Sequence, residues 1–188
     1  QALLAGKLGQ KEAEGWSEEE VENVVHQVSL AAIKYGMLSR DVNQKIVFDM
    51  DAWLKFEGDT GPYLQYVAAR CASILRSAKE RGIGLNELSE EQRKKSFASL
   101  NHPSEAALLL RIDGLPRAVD ETASQLRTSI LCSYLNRLAK SFNDFYRDCP
   151  VLKSEGDLLM ARLQLVLATR RALSWGLDKL GIPAPERM

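Results

Sequence analysis

The chain has 188 residues, 45% of them hydrophobic and 27% charged, with 25 Lys and Arg balancing 25 Asp and Glu. That composition excludes a disordered or low-complexity chain, and zero net charge argues against a generic nucleic-acid glue, although residues 1–60 are acidic in balance and residues 125–188 basic. No apolar stretch approaches the roughly 20 residues of a membrane span, and the start at Gln1 carries no secretory leader pattern, so one soluble, cytoplasmic domain with no membrane partner is expected.

In chain order, Ser17 and Glu20 form the first helix-start signal, a capping box in which hydroxyl and carboxylate each satisfy a backbone N–H. A helix over 18–35 is predicted from Val21, Val24, Val25, Val28, Ala32 and Tyr35 at three- and four-residue steps, with Gly36 as its stop. Residues 45–49 read as loop, because one isolated strand cannot stabilise itself. The turn-rich stretch 56–62 leads to a second helix over 62–81, opened by Pro62 and ended by Gly82 and Gly84. Ser89 and Gln92 repeat the capping pattern, and 103–112 reads as a short helix. Gly114 and Pro116 separate it from long helical runs over 117–146 and 156–180. Strand-like alternation is absent, so the fold class is all-α, a helical bundle.

Candidate chemistry is sparse. Cys71, Cys132 and Cys149 are odd in number and lack CxxC spacing, and with His26 and His102 distant in sequence no zinc pattern forms. The acidic residues Asp49, Asp51, Glu57 and Asp59 lack calcium-loop spacing; lying before helix starts, they are expected to cap exposed N–H groups. The glycines in the 58–61 turn do not form a phosphate-loop motif, and no nucleophile has a base placed near it by a local motif. Catalytic, cofactor-binding and metal residues are therefore assigned as none. What remains is a strip on the second helix, where Tyr63, Tyr66 and Arg70 at i, i+3 and i+7 share one side and Arg76 follows. Two readings stay open for it: a platform that stacks unpaired bases, or tyrosines packed in the core with their hydroxyls at its rim.

The run FEGDTGPYLQYVAAR over 56–70 is similar to the FEGDTGPYLQYAHAR signature of arginyl-tRNA synthetases. Downstream, YLNRLA at 134–139, FNDFY at 142–146, CPVL at 149–152, ARL at 161–163 and the terminal LGIPAPERM at 180–188 resemble the DALR-type anticodon-binding module of the same family. The resemblance departs at residues 67–69, Val-Ala-Ala, where the signature more often carries an Ala-His pair.

What the resemblance implies is a helical bundle of the class I synthetase anticodon-binding type over 17–188, with 1–16 a connecting segment from a catalytic domain that the chain does not contain. The family's HIGH and KMSKS motifs do not occur, so the chain is expected to be a fragment of arginine-tRNA ligase, inactive alone. ATP with Mg would belong to the catalytic domain, and this fragment would take no cofactor. The expected partners are the anticodon stem-loop of tRNA(Arg), whose middle cytosine the domain reads, and that catalytic domain. By resemblance, the anticodon-binding residues are Tyr63, Tyr66, Arg70, Arg76, Tyr146 and Met188. The tyrosines would stack bases, the arginines supply donors or phosphate contacts, and Met188 close an apolar side. A helical scaffold that binds protein and no nucleic acid is the alternative, separable by salt dependence.

Overall fold

The computed structural model describes residues 16–84 and 89–188; apart from Trp16, the expected connecting segment lies outside them. Eight α-helices and one 3-10 turn make up the described residues: α1 (Glu18–Leu38), α2 (Met50–Trp53), α3 (Gly61–Glu80), α4 (Glu90–Phe97), α5 (Pro103–Asp113), α6 (Leu115–Gln125), α7 (Thr128–Asp148), the 3-10 turn Val151–Lys153 and α8 (Gly156–Lys179). They form the expected all-α bundle. Helix α3 lies between α1 and α8, α7 packs against α5, α6 and α8, and α4 lies on α8.

The local signals act as their chemistry requires. The Ser17 and Ser89 capping boxes both form, and Thr60 caps α3 by accepting from the Tyr63 N–H at 3.2 Å. Gly82 at φ +76° closes α3: its N–H reaches the Lys79 carbonyl at 2.9 Å and that of Ile83 the Ala78 carbonyl at 3.0 Å, the double bond of a Schellman turn. Asp49 accepts from the Ala52 N–H at 3.0 Å, so that member of the acidic group does cap a helix start. Asp59 instead accepts from the Tyr35 hydroxyl at 2.6 Å, tying α1 to the turn before α3. Burial, then the carboxylate beside it, pushes the Tyr35 phenol far above its ordinary pKa, so it stays protonated as the donor.

Three expectations need correction. Gly36 does not stop the first helix, which runs on to Leu38; a Cβ there would stand 2.6 Å from the Trp53 indole, so the glycine is a notch for that ring. The four-residue helix α2 follows the 45–49 loop and was not predicted. The run 117–146 is two helices, broken where Leu126 turns left-handed at φ 52°. The physical reason is tertiary. The break folds α6 back onto α7, and Arg127 pairs with Asp41 at 2.6 Å while the Thr128 hydroxyl donates to the Leu38 carbonyl at 2.9 Å, pinning the start of α7 to the end of α1.

Most buried side chains form one core, with Leu64, Val67, Cys71, Leu135, Phe142, Phe145, Leu163 and Leu173 at or near zero exposure. A smaller cluster sits outside it, formed by Val24, Val25, Val28 and Ala32 of α1 with Leu54 at the end of α2, and Trp16, Phe56 and Met188 pack against that cluster. The cleft described next opens beside this second cluster.

Candidate nucleic-acid interface

Helices α3 and α7 bring the central residues together. Tyr66 and Arg70, one helical turn apart on α3, face outward, and the Arg70 guanidinium lies 4.6 Å from the Tyr66 ring centroid and 5.0 Å from that of Tyr146 on α7. One cation is thus held against two rings from two helices, each such contact contributing about 0.5–2 kcal/mol. The Tyr146 ring in turn stacks on Phe142 at 6.2 Å, and the Tyr66 hydroxyl accepts from Arg70. The clasp is therefore preassembled.

Tyr63 is placed differently. Its ring is 7% exposed and belongs to the core, while its hydroxyl accepts from Asn143 Nδ2 at 2.8 Å. Burial raises its phenol pKa, opposed by the Asn143 hydrogen bond. Of the two arrangements left open for the strip, Tyr63 adopts the rim-hydroxyl one: it sits at N3 of α3 among that helix's buried residues, with its hydroxyl at the edge of the core.

A cleft of about 280 Å³ opens beside the clasp, lined by Tyr66, Arg70, Arg76, Trp16, Arg187 and Met188 among others. Its acidic wall residue, Glu186, is paired with Arg170 at 2.6 Å, which leaves the three lining guanidinium groups to set the local charge. Met188 is there because the tail is docked. Gly181 at φ +65° turns the chain off α8, and Ile182 donates its N–H to the Leu177 carbonyl at 2.8 Å and buries its side chain. The Lys34 amine donates to the Gly181 carbonyl, and Gln65 Nε2 to the carbonyls of Pro183 at 2.7 Å and Gln27 at 3.2 Å. Farther on, Arg187 lies over the Trp16 ring at 4.6 Å.

Five of the six expected site residues thus border the clasp or the cleft, and Tyr63 supports it from within. Gln65, Asn143, Trp16 and Arg187 were missed. A signal existed for two of them: Gln65 is an amide within an otherwise apolar helical face, and Asn143 is an amide set between aromatics in FNDFY. Val67 and Ala68 stand where the signature has its Ala-His pair and both are buried in the core, whereas Ala69 lines the cleft. A larger, apolar groove of about 810 Å³, lined by Phe97, Ile112, Leu115, Leu167 and Trp175 among others, contains none of the expected site residues.

Comparison with known proteins places these features in context. The pattern describing the DALR anticodon binding domain matches residues 64–188. The arginine-tRNA ligase of Bdellovibrio bacteriovorus is 45% identical over 175 residues, covering 92% of this chain and 28% of that protein. That of Thermococcus kodakarensis is 39% identical over 186 residues, 98% of this chain and 28% of that protein. Among solved structures, Thermus thermophilus arginyl-tRNA synthetase superposes with a TM-score of 0.83 at 36% identity, covering 97% of this chain and 30% of that one. Arginyl-tRNA synthetase from Plasmodium falciparum shares the fold, with a TM-score of 0.83 at 24% identity. The chain spans about 28% of the length of these curated relatives.

Proposed function

This chain belongs to the DALR anticodon binding domain family, and we propose that it recognises the anticodon loop of tRNA(Arg) as the C-terminal part, residues 17–188, of an arginine-tRNA ligase. Joining arginine to tRNA at the expense of ATP is then the work of the whole ligase, with ATP and Mg handled by its catalytic domain, and residues 1–16 lead in from that domain. The observation that carries the reading is the preassembled clasp of Tyr66, Arg70 and Tyr146 beside a cleft lined by three arginines.

An anticodon loop offers unpaired bases with free faces and edges, and a phosphate backbone. Tyr66 and Tyr146 supply ring faces for stacking. Arg70 supplies donors to a base edge, and Arg76 and Arg187, both exposed, are suited to phosphate. Met188 gives the cleft an apolar side, and Tyr63 holds the frame from behind. The recognised base is the middle cytosine of the arginine anticodons.

The larger apolar groove favours a second reading, a protein-binding scaffold. Titrating the 188-residue chain with a fluorescent arginine anticodon stem-loop at several salt concentrations separates the two. Log K should fall linearly with log salt, with a slope of about −0.7 for each phosphate contacted. Absence of binding at low salt would leave only the scaffold.

A further inference from the structure

Asn143 stands at the junction of α3 and α7 and uses both ends of its amide. Its Oδ1 accepts from Arg70 Nη1 at 3.0 Å, and its Nδ2 donates to the Tyr63 hydroxyl at 2.8 Å. The direction of this relay is fixed by chemistry. A guanidinium carries donors only, so the amide oxygen must face Arg70, the NH2 must face Tyr63, and the hydroxyl must accept. Tyr63 is locked in the core, so the relay runs from a rigid ring, through Asn143, to the arginine of the cleft.

We infer that Asn143 is a positioning residue for anticodon recognition: it fixes the plane of the Arg70 guanidinium between Tyr66 and Tyr146, and thereby chooses which N–H groups face the RNA. The inference rests on the proposed reading of the cleft as the anticodon site. A long arginine side chain has many rotamers, and two ring faces alone leave its plane free to rotate. The bonds to Asn143 and to the Tyr66 hydroxyl remove that freedom and occupy one hydrogen on each terminal nitrogen. Nε–H and the second hydrogen of each terminal nitrogen remain for a ligand. A carboxylate at 143 would hold the same geometry but cancel the charge that attracts RNA, whereas an amide orients without neutralising.

The test is a double-mutant cycle of Asn143→Ala and Arg70→Ala, read by stem-loop anisotropy at one salt concentration with thermal unfolding of each variant. Asn143→Ala is expected to weaken the natural loop about tenfold and shrink the preference for the natural middle base, and to cause no further loss when Arg70 is already alanine. Equal losses in both backgrounds, or wild-type binding by Asn143→Ala while Arg70→Ala is weakened, would overturn the inference. If Arg70→Ala itself binds as wild type, the reading of the cleft fails instead. Should the alanine variant unfold, Asn143→Asp carries the test. It should keep the base preference while lowering affinity for every loop, and loss of preference without that uniform weakening would refute the positioning role.

Discussion

The side chains of the cleft divide into those that present a surface and those that hold it. Tyr66 and Tyr63 are three residues apart on one helix and of one type, yet only Tyr66 exposes its ring to the cleft. Helical spacing placed them on the same side but could not decide which was buried, because that depends on where α7 lies. Tyr66→Ala should lower stem-loop affinity by about 1–3 kcal/mol with an unchanged helical circular-dichroism spectrum, the loss of one stacking face. Unchanged affinity would remove Tyr66 from the site. Asn143 escaped the sequence reading for the same reason: its partners lie 73 and 80 residues away, and no local pattern announces a contact of that range.

Among the elements, the caps and glycine stops with a local chemical cause were legible, and the features imposed by neighbours were not. The Gly36 notch and the α6–α7 break belong to the second kind. Leu126 is 88% exposed and left-handed, so its side chain contributes little while its backbone costs about 1–2 kcal/mol. Leu126→Gly should therefore raise the melting temperature by about 2–4 °C, measured by thermal unfolding. Helix α5 is tied to α8 by Glu105, fully buried, which accepts from Arg162 Nε at 2.7 Å and from the N–H groups of Asn101 and His102 at 2.8 Å. Burial raises its carboxyl pKa, but the hydrogen bonds from His102, Arg162 and Asn101 together outweigh that and leave it below its ordinary value of 4.5. A depressed folded pKa means stability that is present above about pH 4.5 and lost as pH falls through the lower folded value. Melting temperatures measured downward from pH 5 should fall, and Glu105→Gln, less stable at neutral pH, should fall less steeply.

For the molecule as a whole, periodicity and capping sufficed for the all-α class and for most helix boundaries, since an amphipathic helix states its buried face in its own sequence. The resemblance to a known signature gathered the candidate site residues, which composition alone would have left as a scaffold. Neither source could show that the tail returns across α1 and α3. That closure depends on Gly181, Gln65 and Lys34 acting together over more than a hundred residues of separation. It brings Arg187 and Met188 to a cleft whose other wall is the middle of α3. In the proposed function this closed cleft reads a base rather than only gripping backbone. The most direct test is anisotropy titration, at one fixed salt concentration, of two arginine anticodon stem-loops that differ only in the middle base, cytosine in one and another base in the other. A preference of about 1–3 kcal/mol for the cytosine loop is predicted, the size of one well-read base. Equal affinity for the two loops would contradict it.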